Sequence, residues 1–268
     1  MSDPLTTLGL GAVAAYLGKD GLQKLLGPTA DYLGSGLKDF TQKRAEAVGK
    51  IFRSAQLKLG EKVNQAGEVP PKVLKTVLNE GSYSTDQLAV EYFGGILASA
   101  RTEDGRDDRS ARLAKTVDTL STYQLRAHYL IYSTVRRLFA DKGLPFNMKG
   151  RPKMQIFVPR HDFVVAMDLS PKEREQLGQL LNHVFFGLHA DNLIEGDWQY
   201  GPKEHMVTVT PKAESDGVIC QPSALGAELY LSAFGQAERE IDYIFSPQLT
   251  VELQGVPNGF VNAVPAEI

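Results

Sequence analysis

The 268-residue sequence predicts a mainly α protein: an N-terminal helical bundle with one very long helix, then a small α/β winged-helix-like module. Three observations predict it. Four prolines lie in residues 1–144 and ten in 145–268, and proline is costly inside helices but common in turns and at strand edges. Charge is divided as well, with 20 Lys+Arg against 16 Asp+Glu in the first stretch and 9 against 16 in the second. Apolar residues recur at helical spacing early in the chain and in short alternating runs later. The change falls near Gly143-Leu144-Pro145, with 145–153 as a linker, which predicts a helical domain over 1–144 and an acidic module over 154–268.

Residues 5–17 read as a small apolar helix weakened by Gly9 and Gly11, each costing ~1 kcal/mol against alanine. From Pro28 a stripe of Leu33, Leu37, Phe40, Val48, Ile51, Phe52, Ala55, Leu59 and Val63 continues to about Gln65. That is roughly 38 residues, or ~55 Å of helix. Val69-Pro70-Pro71 ends it and opens another over 71–80. Ser84-Thr85-Asp86-Gln87 has the form of a capping box ahead of Leu88, Tyr92, Phe93, Ile96 and Leu97. Residues 101–109 form a solvated mixed-charge loop, 108–119 a short helix, and Ser121-Thr122-Tyr123-Gln124 caps a helix over 121–141.

In the second half, Met154–Val158 and Phe163–Met167 predict a hairpin around Pro159-Arg160-His161-Asp162. Ser170-Pro171-Lys172-Glu173 then caps an amphipathic helix over 171–191, carrying Leu177, Leu180, Leu181, Val184, Phe185 and Leu188. A second hairpin is predicted between Met206–Thr210 and Val218–Cys220 around Ser215-Asp216-Gly217. Pro222-Ser223 opens a further helix, and Leu249–Leu253 alternates as a last strand. Helix, hairpin, helix is the order of a winged helix.

Composition excludes several classes. With 43% hydrophobic and 23% charged residues and a mean hydropathy of −0.20, the chain is neither wholly disordered, nor collagen, nor a coiled-coil rod. A single cysteine, Cys220, excludes a disulfide framework and any multi-cysteine zinc or iron–sulfur site. No apolar stretch approaches the ~20 residues of a bilayer span, and no basic region precedes the N-terminal apolar segment. The expected compartment is the cytoplasm, including the inner face of the membrane.

Val69-Pro70-Pro71-Lys72-Val73-Leu74-Lys75, Asn79-Glu80-Gly81-Ser82 and the run from Leu88 through Phe93-Gly94-Gly95-Ile96-Leu97-Ala98-Ser99-Ala100 resemble the core of the abortive-infection alpha family of bacterial antiphage proteins. The similarity resumes at Leu120-Ser121 and at Pro222-Ser223-Ala224-Leu225-Gly226. Two departures stand out: Phe93-Gly94 occupies a place where the family often has Trp-Ala, and the segment beyond Pro247 has no counterpart. The resemblance implies a role in defence against phage through arrested growth of the infected cell. It carries over no catalytic residue.

The residues themselves offer no catalytic constellation. The histidines are His128, His161, His183, His189 and His205, and the six-residue step from His183 to His189 puts them on different helix faces, unlike a zinc-binding i, i+4 pair. Cys220 lies in an apolar run between Ile219 and Gln221, the setting of a small buried side chain. Gly94-Gly95 lacks the Lys-Ser/Thr of a phosphate loop and suits close helix packing. No catalytic residue, metal or cofactor is therefore expected, and the expected function is a non-enzymatic antiphage protein acting through contacts with a protein partner, itself, or a membrane surface. Leu5, Leu8, Leu10, Val13 and Leu17 are the candidate membrane or oligomer contacts. Lys43, Arg44, Lys50 and Arg53 are the candidate anionic-ligand contacts. The alternative is a nucleic-acid-binding winged-helix-like regulator using the basic helix 36–66, because phosphate neutralisation needs such a surface.

Overall fold

A computed structural model describes Gly21, Lys24, residues 42–84 and residues 86–266. Among the described residues the chain forms ten α-helices and one four-stranded antiparallel sheet. They fall into two compact units. Unit 1 runs to Thr119 and adds Ser232–Glu238; unit 2 comprises Leu120–Leu231 and the segment after Glu238. Residues 145–153, read from the sequence as a linker, lie within unit 2, where Phe146 is buried beside Phe245.

Unit 1 contains α1 (Gln42–Leu59), α2 (Pro71–Gly81), α3 (Gln87–Ser99) and α4 (Ser110–Thr119). Helix α1 packs mainly on α3, and α2 on α4. The stripe Val48, Ile51, Phe52, Ala55 and Leu59 is buried, as its spacing predicts, against a face of α3 that includes Tyr92, Phe93, Ile96 and Leu97. The α-helix ends at Leu59 rather than near Gln65. Gly60 takes a left-handed φ of +52° and the chain continues as a 3-10 turn, Gly60–Asn64, which cannot propagate the α-helical ladder. Residues 28–41 of the expected long helix lie outside the described residues.

The cap of α3 also differs from expectation. The carboxylate of Asp86, not the hydroxyl of Ser84, accepts from Leu88 N at 2.9 Å and Ala89 N at 3.1 Å. Gly94 and Gly95 do permit close packing. A Cβ on Gly94 would lie 2.5 Å from the Ser54 side chain, and one on Gly95 only 1.8 Å from the carbonyl oxygen of Ala233.

Unit 2 contains α5 (Thr122–Phe139), β1 (Ile156–Pro159), α6 (Arg160–Ala166), α7 (Pro171–Glu175), α8 (Leu177–Ala190), β2 (Gln199–Gly201), α9 (Lys203–Val209), β3 (Gly217–Cys220), α10 (Ala224–Ala233) and β4 (Val264–Pro265). The last two residues of α10 belong to unit 1. The sheet order is β2-β3-β1-β4. Phe157, Ile219, Met206, Ala213 and Ala266 pack into one core cluster with it. The capping boxes at Ser121/Gln124 and Ser170/Glu173 form as predicted, and Ser223 Oγ accepts from Gly226 N at 2.9 Å to cap α10.

Neither expected hairpin forms, so the order of a winged helix is replaced by strands that arrive singly between helices. Residues 163–167 are in α6 or its C-cap: Pro159 ends β1, and Asp162, Phe163 and Ala166 turn inward while Val165 stays exposed, a helical burial pattern. Met206–Val209 lies in α9, started after Pro202, with Met206 its one buried side chain. Strand β3 therefore pairs with β1 and β2 instead. Residues 171–191 are two helices, because Gln176 leaves helical geometry at φ −108°, ψ 22°.

Leu249–Leu253 forms no strand. Its carbonyls are taken by side chains of α5: Tyr129 Oη donates to Val251 O at 2.8 Å, and Arg136 Nη2 to Leu249 O at 2.8 Å. Further on, Thr134 Oγ1 accepts from Phe260 N, and Asp162 accepts from both Asn262 N and Asn262 Nδ2. Residues 249–262 are thus held by side chains reaching their backbone, and the chain joins a ladder only at β4, which pairs with β1.

Candidate functional site

The register of β1 on β3 pairs Pro159 with Gly217, so Arg160 and Asp216 meet just past that end of the pair. Arg160 N donates to Asp216 O at 2.8 Å, and its guanidinium Nη1 lies 3.4 Å from Asp216 Oδ2. Asp216 Oδ1 accepts from Lys203 N at 3.1 Å. Beside this pair opens a cavity of about 300 Å³, between α8 and strands β2 and β3. Its inner wall is apolar: Phe163, Leu177, Leu181 and Val218 are all buried. Its mouth is charged, for the Arg160 and Asp216 side chains keep 58% and 45% of their surface in solvent.

Tyr200 forms a side of the cavity and anchors its hydroxyl on Asn182 Oδ1 of α8 at 2.9 Å. The ring belongs to an aromatic row. Trp198 stacks on Tyr200 and on Phe185, while Phe186 meets it edge-on at 4.8 Å and is itself 60% exposed. Gly178 lines the cavity with open space where a side chain would be. At about 300 Å³ the cavity is at the small end of the sizes of ligand sites, with an apolar wall and a few polar groups at its mouth.

Several buried polar side chains of unit 2 are taken up by hydrogen bonds within the unit. His128 Nε2 lies 3.0 Å from the Gly226 carbonyl, which can only accept, so Nε2 carries the proton. Burial pushes this imidazole down to about 3, which keeps it neutral. Tyr132 Oη donates to Leu193 O and accepts from Ser223 N. Ser133 Oγ meets Tyr230 Oη at 2.9 Å. Burial raises the Cys220 thiol to about 12, so its position in β3 is that of a packed apolar side chain and not of a nucleophile.

In unit 1 the notable polar cluster is Ser54, Lys58 and Glu91. Ser54 Oγ donates to Glu91 at 2.7 Å and accepts from Lys58 Nζ at 2.7 Å, while Lys58 and Glu91 form an ion pair. Burial lowers the Lys58 value, and Glu91 opposes that; Glu91, which burial alone would raise, is held below the usual carboxylate range by Lys58. The Ser54 hydroxyl is thus engaged between the two ends of an ion pair.

The residues singled out from the sequence are scattered. Leu5, Leu8, Leu10, Val13 and Leu17 lie outside the described residues. Lys43 lies on α1. Arg44 donates to Ser82 Oγ and sits 4.1 Å over the Tyr83 ring, a stacked structural role. Lys50 and Arg53 are exposed on α1, and Leu57, one turn beyond Arg53, is 75% exposed. Lys58 and Lys62 of the same basic run are taken up by Glu91 and Glu238. Among the described residues no three His, Cys, Asp or Glu side chains are placed to share a metal ion, and no helix is long and apolar enough to cross a membrane.

Sequence reasoning missed the cavity. Its two charged residues stand in short turn-like segments read as hairpin loops, and only the pairing of β1 with β3 brings them together. The alternation of Trp198 and Tyr200 around Gln199 was the available signal. No family model matches the chain, and neither curated proteins nor solved structures include a match.

Proposed function

We propose that the chain is a bacterial antiphage protein of the abortive-infection alpha type, acting through contacts rather than by transforming a substrate. The observation that supports it best is where the resembling residues lie. Val69, Leu74, Phe93, Gly95, Ile96 and Leu97 pack the interior of unit 1, and Ser223 and Gly226 bond the Tyr132 and His128 side chains at the centre of unit 2. The residues that carry the resemblance thus occupy buried, closely packed positions, which is where a common framework would place them.

The contact surface of unit 1 on this reading is the exposed stripe Lys50, Arg53, Leu57, spaced to lie along one side of α1, with two cations beside an apolar side chain. It suits an anionic partner with apolar surface, either a protein or the inner leaflet of the membrane. Residues 5–17 would add the second, apolar contact.

A phage-challenge plating assay tests the proposal. Cultures expressing the chain should survive phage at low but not high dose, and protection should fail with Lys50→Glu/Arg53→Glu or with residues 1–27 deleted. Unchanged plaque counts across diverse phages would end the defence reading. Liposome flotation that ignores the deletion would end the membrane contact and leave a protein partner. Binding of duplex nucleic acid that weakens steeply with salt and with the double charge reversal would replace the proposal with the regulator reading.

A further inference from the structure

The cavity of unit 2 has an apolar interior and, at its mouth, one cation and one anion side by side. We infer that it binds a free apolar α-amino acid as its zwitterion. The α-carboxylate would lie on the Arg160 guanidinium, the α-ammonium beside Asp216, and the side chain against Phe163, Leu177, Leu181 and Tyr200.

The charge arrangement selects the class. The Arg160 side chain makes a single wide contact with Asp216, 3.4 Å, out of five N–H donors, while Asp216 is oriented from the other side by Lys203 N. The pair is therefore fixed in place through its backbone and only loosely closed on itself. A simple anion at the mouth meets the Asp216 carboxylate, and a simple cation meets the guanidinium. A ligand carrying both charges a short distance apart satisfies the two together, and a planar carboxylate matches the guanidinium fork. Depth and chemistry select the rest. About 300 Å³ accommodates a small molecule only, and four buried apolar side chains favour an aliphatic or aromatic group over a polar one. Gly178 leaves the entrance on the α8 side open. This inference stands independently of the defence role and rests on the geometry of unit 2 alone.

Isothermal titration calorimetry on the full chain tests it, with L-phenylalanine and L-leucine as zwitterions, N-acetyl-L-phenylalanine as the anion and L-phenylalaninamide as the cation. At least one zwitterion should bind, and blocking either charge should weaken it tenfold or more. Arg160→Gln and Asp216→Asn should do the same, the asparagine keeping an acceptor for Lys203 N so that the turn persists. Gly178→Trp, which places a ring in open space, should abolish binding while the circular dichroism and thermal midpoint of the free chain are kept. Equal binding of the blocked compounds would overturn the zwitterion assignment. No heat for any of them at ligand concentrations on the order of 10 mM, with the chain folded, would overturn the site. So would binding that Gly178→Trp leaves untouched.

Discussion

A methyl group on Gly95 would stand 1.8 Å from the carbonyl oxygen of Ala233, closer than any packed carbon comes to an oxygen. The obstacle is backbone, so it cannot rotate away. Gly95→Ala should cost at least the upper part of the ~1–3 kcal/mol range of overpacking substitutions, read as a lower denaturant midpoint for unit 1. Gly178→Ala is the contrast: its Cβ meets nothing within 4 Å, and exchanging glycine for alanine in a helix should stabilise by up to about 1 kcal/mol.

The Lys58–Glu91 pair is largely buried, with 14% and 22% of the side chains exposed. Glu91→Leu strands the lysine ammonium and should destabilise by about 2–3 kcal/mol, somewhat below the cost of breaking a fully buried pair. Adding Lys58→Met should recover much of that loss, because the charge left without a partner is gone. A double-mutant cycle in chemical denaturation measures it; strictly additive losses would remove the pairing argument.

His128 makes the stability of unit 2 depend on pH. Its folded-state value is depressed to about 3, whereas the unfolded chain protonates near the ordinary 6.5. The unfolded state therefore takes up the proton first, so the contribution is whole above ~6.5 and shrinks as pH falls toward 3. Between pH 7 and pH 5 about 2 kcal/mol should be lost through this group. Comparing urea midpoints of the native chain and His128→Gln across that interval isolates the effect, since carboxylates contribute equally to both.

Before it reaches β4, the C-terminal segment depends on a few side chains rather than on a strand ladder. Asp162→Ala frees both the backbone and the side-chain amide of Asn262, and Thr134→Val frees Phe260 N. Each should raise amide exchange and proteolysis across 249–262 by tenfold or more while α5 stays protected. Equal protection in the variants would show that burial of Leu249, Val251 and Phe260 holds the segment without them.

Several helices of both units were legible in residue order because each rule involved is local. Apolar spacing placed the buried face of α1, Pro71 opened α2, and the Ser121 and Ser170 boxes formed as written. The strand assignments failed where a short apolar run fits either period. Phe163–Ala166 contains two β-branched valines yet is helical, since Pro159 stops the strand and the sheet offers 163–167 no partner. The cavity was illegible for the same reason: Arg160 and Asp216 are 56 residues apart and join only through a β1–β3 register that no local signal specifies.

Periodicity, proline and caps act over a few residues, so the chain's order of monomers was enough to set its helical character, its buried faces and its division of charge. Which strands pair, which carbonyls the C-terminal segment surrenders to α5, and which two charges stand over an apolar pocket depend on contacts between residues far apart. Those contacts exist only once loop entropy has been overcome by burial of the whole core, and so the folded arrangement alone decided them.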